Sequence, residues 1–596
     1  MNLAKNRNEI DPKFKWDIEK IYADTETWNK EFQEIKTLAP KLKEYEGKLN
    51  NAETLYEFLQ LEEKVSRKLY LLLIYAFLKS DEDTTQNQYQ ALKSKIQAFA
   101  AEFGSYVSFM NPELLSLPEG TMEKFLEEKE ELKLYKFMIE DLLRNKPHVL
   151  SQKEEALLAS AEDIFGAPQN IYNIFSNADL KFPQITNEEG EKVDFTESSY
   201  FKYIISKNRD VRKEAFEALF GTYESFKNTI ATSLTASTKK FAFMAKTKKF
   251  NSSIEYALSP LNIPVSVYDN LIETINNNLN LLHRYVDVKK KLLGVDELHM
   301  YDLYVPVIDV PDMHIEFQEG VDMVKEGIKP LGEEYLNIFQ EGIDNRWIDV
   351  YENKGKRNGA YSWGSYDTMP YVLLNYNFKY NDVSTLAHEM GHSLHSYYSR
   401  KEQPFVYSNY TLFCAEVAST VNECLLINDR ISKETDKKKK LYYINEQLEQ
   451  IRGTVFRQTM FAEFERETHK LIDAGTPLTS EELNDIYYNL NKKYYGDKMV
   501  IDDLIKVEWA RIPHFYRDFY VYQYSTGYSA AMSFTSAILR DGEEAVERYK
   551  GFLKSGGSDY SINILKKAGV DMTTTKPVQD TMDRFKELLD MLEAEL

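Results

Sequence analysis

Two histidines stand four residues apart in the stretch "STLAHEMGHSLHSYY", which spans residues 384–398. Positions four apart lie on one face of an α-helix, so His388 and His392 can bind one metal ion together. Glu389 directly follows the first histidine. In the H-E-x-x-H pattern of zinc peptidases, zinc acidifies water and the glutamate accepts its proton. The spacing therefore predicts one Zn²⁺ per chain, with Glu389 as general base.

The H-E-x-x-H pentapeptide can also occur by chance, so the neighbouring residues help to decide whether it is functional. Gly391 lies inside the predicted helix, where glycine costs about 1 kcal/mol relative to alanine. Such a cost is usually tolerated where another element packs closely, which favours a functional helix. His395 lies near the face of His388 and His392, but three histidines along one helix cannot all bind one tetrahedral ion. We therefore predict that His395 either has a structural role or supports a ligating residue without binding the metal itself.

A catalytic zinc site has three protein ligands and one open position. No third histidine stands at the spacing of the longer metzincin motif. The apolar segment "TLFCAEVASTVNECLL" supplies Glu416, 24 residues beyond His392, which leaves room for a turn and an antiparallel helix. No lysine or arginine lies between residues 410 and 428, so a divalent cation would neutralise this carboxylate. We predict Glu416 as the third ligand and Glu423, on the same helical face, as a hydrogen-bond acceptor for a ligating histidine.

A second group of polar side chains lies in "IPHFYRDFYVYQYSTGY", residues 512–528. Peptide hydrolysis builds negative charge on the carbonyl oxygen, and an imidazole or phenol can donate a hydrogen bond to it. His514 and one or more of Tyr516, Tyr520 and Tyr522 are candidate donors. An aromatic packing face is an equal alternative, because the chain contains 41 tyrosines.

Helical patterns dominate the elements that must position these residues. Apolar residues recur every three or four positions in segments such as "LYEFLQLEEKVSRKLYLLLIYAFLKS". Residues 178–196 alternate apolar and polar around "NEEGE", which predicts a β-hairpin, and glycines among aromatics at 349–378 predict a small sheet. The predicted fold is mainly α, large and multi-lobed, with this sheet beside the catalytic helix. The predicted divisions are an N-terminal helical region, a helical lobe ending in the hairpin and a catalytic domain, at residues 1–112, 113–198 and 199–596.

Composition limits the partners and the compartment. The 596 residues carry a formal net charge of −21, which argues against a nucleic-acid-binding surface. No apolar run approaches the roughly 20 residues that cross a membrane, and the N-terminus shows no apolar signal segment. We therefore predict a cytoplasmic protein that binds neither nucleic acid nor membrane. The two cysteines, Cys414 and Cys424, are expected to be buried thiols in a reducing compartment.

Four separated motifs carry a family resemblance. In chain order they are "GKRNGAYSWGSYDTMPYVLLNY", "AHEMGHSLHSYYS", "FCAEVASTVNE" and "IPHFYRDFYVYQYSTGY". Together they closely resemble oligoendopeptidase F, in the thimet-oligopeptidase superfamily of zinc peptidases. "WDIEKIYADTETW" resembles the opening of the same family, so the resemblance covers most of the chain.

The resemblance implies roles for the residues that match these motifs. It implies zinc bound by His388, His392 and Glu416, with Glu389 as general base. It also places His514 and Tyr522 near the transition-state oxyanion. The spacing from this histidine to the following tyrosines differs from that in the thimet branch, which leaves the roles of Tyr516 and Tyr520 open.

The resemblance further implies a deep substrate channel in which a short sheet offers an edge to extended peptide backbone. Gly359, Ala360, Tyr361 and Ser362 are the candidate substrate-binding residues at that edge. Gly359 and Gly364 would allow close backbone approach.

The leading functional prediction is a zinc-dependent endopeptidase that hydrolyses internal bonds of short unstructured oligopeptides. A helical zinc dipeptidyl carboxypeptidase shares the same ligands and spacing, so it is the first alternative. A catalytically silent peptide-binding protein is the second. The chain contains neither G-x-S-x-G nor G-x-x-x-x-G-K-[ST], so no serine elbow or phosphate loop competes. The oligomeric state is left open.

Overall fold

The computed structural model describes residues 5–308 and 313–595, and helices dominate them. The helices are α1 (Thr25–Leu38), α2 (Ala52–Glu82), α3 (Asn87–Val107), α4 (Met110–Ser116), α5 (Thr121–Glu128), α6 (Lys136–Arg144), α7 (Gln152–Ser160), α8 (Glu162–Ile174), α9 (Glu197–Ile204), α10 (Arg209–Ser225), α11 (Lys227–Thr247), α12 (Ser253–Leu258), α13 (Val265–Asn277), α14 (Leu279–Leu293), α15 (Phe317–Gly327), α16 (Glu333–Asp344), α17 (Tyr380–Glu402), α18 (Leu412–Lys433), α19 (Lys437–Ile451), α20 (Arg457–Asp473), α21 (Ser480–Tyr495), α22 (Tyr522–Asp541), α23 (Glu543–Lys554), α24 (Ser561–Lys567) and α25 (Lys576–Ala594).

Short strands form three small sheets. The strands are β1 (Ile185–Thr186), β2 (Lys192–Val193), β3 (Leu298–His299), β4 (Ile348–Asp349), β5 (Tyr361–Trp363), β6 (Tyr371–Leu373) and β7 (Met499–Val500). β1 and β2 pair antiparallel, and β3 and β7 pair parallel. The third sheet has the order β4-β6-β5, so β5 forms one edge. The predicted hairpin at 178–196 and the predicted sheet within 349–378 are both confirmed.

The chain divides into two compact units, and each is built from three separate stretches. The first unit contains the described residues up to Val149, together with Met313–Asp429 and Phe534–Gly569. The second contains the described residues of Leu150–Asp312, Arg430–Ser533 and Val570–Leu596. The three consecutive divisions predicted from the sequence stay a prediction.

An ion-pair cluster within the first unit fixes the N-terminal segment against the three-stranded sheet. Arg7 donates from Nη1 to Asp349 Oδ1 (3.0 Å) and from Nη2 to Glu82 Oε1 (2.8 Å). Lys356 Nζ lies 2.7 Å from the same Asp349 oxygen. Burial opposes ionisation of Asp349, but Lys356 and Arg7 outweigh it and lower the pKa of this carboxyl. We call these four residues the Asp349 network.

Two further sequence-based expectations concern burial and membrane crossing. Cys414 and Cys424 are both buried on α18, as predicted. Within residues 5–308 and 313–595, none of the helices has the length and apolar character needed to cross a membrane.

Candidate metal centre and active site

A glycine lets the two helices of the predicted metal site pack closely. α17 carries His388 and His392, and α18 carries Glu416. A Cβ atom on Gly391 would lie 2.5 Å from Ser419 Cα and 2.7 Å from the carbonyl oxygen of the residue before it, so no larger residue fits without a shift. The close packing expected around Gly391 is therefore present, and it brings α18 within reach of both histidines.

Three side-chain atoms from these helices converge. His388 Nε2 lies 3.2 Å from His392 Nε2 and 3.3 Å from Glu416 Oε2. The remaining distance, from His392 Nε2 to Glu416 Oε2, is 3.6 Å. Zinc–ligand bonds of about 2.0–2.1 Å in a tetrahedron require ligand atoms roughly 3.3–3.4 Å apart. The donor set and its spacing therefore fit a zinc ion.

Glu423 sets the proton position on His388. Its Oε1 forms a hydrogen bond with His388 Nδ1. Because a carboxylate accepts hydrogen bonds, Nδ1 carries a proton, and Nε2 is the ring atom that lies near His392 and Glu416 and can bind a metal once it is deprotonated. The structure thus places Glu423 at the position that the sequence predicted for it.

Burial and charge shape the ionisation of this group. Glu389 is only 7 % exposed, and burial raises the pKa of its carboxyl, which favours a group that takes and returns a proton. Burial also opposes ionisation of Glu416, but hydrogen bonds with His388 and His392 lower its pKa.

His395 lies apart from the converging atoms. Its ring is 1 % exposed and stacks on Tyr410, with ring centroids 3.6 Å apart and planes 2° apart. Phe552 packs against the same imidazole. Burial holds the pKa of His395 well below its usual value, so the ring is neutral. These contacts agree with the structural role predicted for it.

The edge strand β5 is tied directly to the histidine helix. Ser362 Oγ lies 2.8 Å from Ser393 Oγ, one residue beyond His392. Tyr361 donates its phenol proton to Asp81 Oδ2 (2.9 Å). The first contact holds the strand against α17, and the second holds it against α2.

Glycine is required at positions 359 and 364, on either side of β5, for different structural reasons. Gly359, directly before Ala360, has φ +85° and open space where a Cβ would lie, so its requirement is conformational. At Gly364 a Cβ would lie 2.8 Å from Arg400 Nη1 and 2.9 Å from Met369 O, so the protein itself fills that space. The substrate-binding roles of residues 359–362 stay predictions.

His514 belongs to the second unit, where two tyrosines approach it. Tyr524 Oη lies 3.4 Å from His514 Nε2, and the Tyr520 ring stacks over the imidazole with centroids 6.1 Å apart. Burial, with the charges of Arg517 and Arg457, lowers the pKa of His514, so it is neutral at neutral pH. Sequence reasoning missed Tyr524, although its ten-residue spacing from His514 lay within the quoted motif.

The other two candidate tyrosines are packed inside the same unit. The Tyr516 ring stacks on Tyr172 with centroids 4.6 Å apart. Tyr522 is 1 % exposed, and its ring packs on Tyr268 at 5.0 Å. The roles of Tyr516 and Tyr522 as oxyanion donors stay predictions.

A buried carboxyl orders the segment between His514 and α22. Phe519 has φ +56°, a conformation that is strained for a bulky residue. Its backbone N–H donates to Glu465 Oε1 at 3.0 Å, and its ring packs on His469. These contacts compensate the strain and fix the segment that carries Tyr520.

Sequence comparison identifies the family. The family described as "Peptidase family M3" matches residues 203–584, and the family described as "Oligopeptidase F" matches residues 113–182. The chain belongs to peptidase family M3. It is therefore a peptidase, and the resemblance to oligoendopeptidase F is confirmed.

Relatives and solved structures agree with this membership. Oligopeptidase PepF of Bacillus subtilis is 50 % identical over 99 % of this chain and 88 % of its own length. Group B oligopeptidase PepB of Streptococcus agalactiae is 42 % identical over 99 % of this chain and 98 % of its own. Oligoendopeptidase-F from Enterococcus faecium matches with a TM-score of 0.74 and 37 % identity over 95 % of this chain and 98 % of its own. A Chlamydophila abortus chain matches with a TM-score of 0.94 and 37 % identity over the full length of both. The mainly helical fold is therefore confirmed.

Proposed function

We propose that this family M3 peptidase is a zinc endopeptidase that cleaves internal bonds of short unstructured oligopeptides. The observation that carries the proposal is the convergence of His388 Nε2, His392 Nε2 and Glu416 Oε2 at 3.2–3.6 Å. All three atoms can donate an electron pair to a metal ion, and together they leave one position of a tetrahedron open, as a catalytic zinc site requires.

Different residues of the site have different roles in the proposed peptide hydrolysis. Zinc, when bound, supplies Lewis acidity, which makes water a stronger nucleophile at neutral pH and polarises the scissile carbonyl. Glu389 takes the proton of the attacking water and returns it to the leaving amine. His514, with Tyr520 and Tyr524 beside it, donates hydrogen bonds to the carbonyl oxygen as it gains negative charge. The part assigned to His514 rests on the family resemblance together with its contacts to these tyrosines.

The substrate class follows from the edge strand and from the family. β5 pairs with β6 along one side, so its other side can pair with an extended peptide. The family resemblance implies a channel that would admit unstructured chains and exclude folded proteins, which supports a preference for oligopeptides. The names of the relatives, oligopeptidase PepF and oligopeptidase PepB, support the same class.

An internally quenched peptide blocked at both ends tests the endopeptidase proposal. Cleavage between the blocked ends supports it, whereas cleavage only of peptides with a free C-terminus favours the dipeptidyl carboxypeptidase. Tight peptide binding without hydrolysis in the zinc-loaded protein favours the silent binding protein.

A single substitution tests the general base. Glu389→Gln should lower kcat by roughly 10²- to 10⁴-fold while one zinc per chain remains by elemental analysis. Glu402→Gln, on the exposed end of the same helix, is the matched control and should retain full activity. Undiminished hydrolysis in zinc-loaded Glu389→Gln would contradict the mechanism.

We further propose that the protein acts in the cytoplasm and binds neither nucleic acid nor membrane. Fractionation of cells followed by immunoblotting tests the compartment. Enrichment of the chain in the membrane fraction or its retention on DNA would overturn this part.

A further inference from the structure

A basic cavity lies in the first unit, separate from the converging metal-site atoms. It has a volume of about 520 Å³ and lies beside the segment that follows β5 and the C-terminal end of α17. Its lining carries three cationic side chains, Lys20, Arg400 and Lys401, and one carboxylate, Glu341. This excess of positive charge contrasts with a chain whose formal net charge is −21.

Arg400 is the unusual member of this lining. Its Nη2 donates to the carbonyl oxygen of Gly364 at 3.0 Å. Its Nε and Nη1 are buried, and neither has a hydrogen-bond partner among the described residues. Burial lowers the pKa of this guanidinium to about 10, and the neighbouring Tyr410 phenol opposes that shift only in part.

Other buried arginines of the chain have carboxylate partners. In the second unit, Arg452 Nε donates to Glu449 at 2.9 Å. Arg457 donates to Glu508 at 2.7 Å, and Arg212 donates to Asp302 at the same distance. The chain therefore normally neutralises its interior guanidinium groups, and Arg400 departs from that rule.

A buried cation without an anion is unfavourable, because no nearby charge compensates its lost hydration. Water in the cavity would not neutralise the charge. An oxyanion beside the part of Arg400 that lines the cavity would neutralise it, and guanidinium groups pair well with carboxylate and phosphate oxygens.

We propose that this cavity binds a small oxyanion, a carboxylate or a phosphate, on Arg400, with Lys401 and Lys20 attracting it at the mouth. Trp347 and Tyr397 form an apolar wall, with rings 6.1 Å apart at 30°. Such a wall lowers the local dielectric and strengthens the attraction. The site goes beyond the proposed peptide hydrolysis, because none of these residues takes part in it.

The site also contacts the edge of the substrate-binding sheet. The carbonyl that Arg400 holds belongs to Gly364, the residue directly after β5. An anion in the cavity would therefore be attracted by the same guanidinium that fixes the end of this strand.

Titration calorimetry on the full zinc-loaded chain tests the proposal. Sodium phosphate and sodium acetate are separate probes, each compared with sodium chloride at equal ionic strength. We expect saturable binding with one ion per chain for at least one probe. A response to phosphate alone indicates a phosphate site, and a response to acetate indicates a carboxylate site. Absence of saturable binding for both would overturn the proposal.

Variants locate the bound ion. Arg400→Met should weaken binding at least tenfold. Arg548→Met is the matched control, because Arg548 lies in the same unit and pairs with Glu544, and neither residue lines the cavity; the affinity of this variant should equal that of the unsubstituted chain. Binding that survives Arg400→Met but is lost in Glu416→Ala would place the ion at the predicted metal site and overturn the proposal.

A second pair of variants covers the case in which Arg400→Met fails to fold. Lys20 and Lys401 are both exposed, so Lys20→Met with Lys401→Met should leave the fold intact, as circular dichroism can verify. The double variant should bind the probe at least threefold more weakly at low ionic strength. Unchanged affinity would contradict the assignment of the cavity.

Discussion

Two polar clusters in the first unit differ in how the charge of their carboxylates is balanced. In the Asp349 network, Arg7 and Lys356 surround a carboxylate that is 1 % exposed, so the chain supplies both signs of charge. In the predicted metal site, Glu416 meets only imidazole nitrogens and a serine among the described residues. The first cluster is electrically complete as folded. The second is completed only by a cation from outside, and this difference separates a structural cluster from a functional one.

The largest expected effect comes from Glu416→Gln. The amide keeps the shape but loses the charge that holds zinc, so peptidase activity should fall by about 10³-fold or more. Zinc content should fall as well, and the metal-free protein should lose less stability than the Asp349 variant described next, because the Glu416 side chain is 42 % exposed and solvent screens its pairing with the histidines. Kinetics, elemental analysis and urea denaturation measure the three quantities. Full zinc occupancy in the variant would reject Glu416 as a ligand and remove the contrast between the clusters.

Asp349→Asn should have the converse effect. It leaves Lys356 and Arg7 buried near each other with one carboxylate fewer, which costs about 3–5 kcal/mol of stability. The urea transition reports this loss, and zinc content should be unchanged in the protein that remains folded. Asp367→Asn breaks the more exposed ion pair with Arg67 and should cost about 1 kcal/mol or less. Equal losses for both substitutions would contradict the assigned role of the network.

Glu423→Gln tests how the metal site is oriented. The amide can donate as well as accept, so it no longer fixes the proton on His388 Nδ1. Zinc affinity should fall by roughly 10- to 100-fold, as competition with a fluorescent chelator can measure. Glu402→Gln serves as the control on the exposed part of α17. An affinity equal to that of the unsubstituted chain would show that Glu423 has no part in holding His388.

The smallest effect concerns pH. Burial disfavours the imidazolium of His388, but Glu423 and Glu416 outweigh it and raise its pKa well above 6.5. Zinc must displace that proton, so its affinity should fall by up to about tenfold per unit as pH falls below this raised pKa. Chelator competition at a series of pH values measures the slope. A flat profile would be inconsistent with a protonated His388 in the metal-free site.

Helical periodicity explains why the metal site could be predicted from the sequence. His388 and His392 are one turn apart, and Glu416 stood out because its apolar segment contains no lysine or arginine. Both signals come from residues that are close in sequence, so they can be recognised without knowledge of the fold. The hairpin and the small sheet could also be predicted, because alternation and glycine-rich turns are local sequence patterns.

Features that depend on contacts between residues far apart in sequence could not be predicted. Tyr524 was missed because, among 41 tyrosines, only folding shows which one reaches His514. Arg400 looked like an ordinary basic residue in the last turn of α17, since the sequence does not reveal that a cavity surrounds it. The pairing of Arg7 with Asp349 spans 342 positions, and no periodicity encodes such a contact.

The division of each unit into three stretches has a consequence for synthesis on the ribosome. Ile74 and Leu78 of α2 pack with Tyr371 and Leu373 of β6, which emerge about 290 residues later. At 5–20 residues per second the delay is roughly 15–60 s. During that time this apolar face of the nascent chain lacks its final partner, so the early helices need either temporary self-association or a chaperone until β6 has been made.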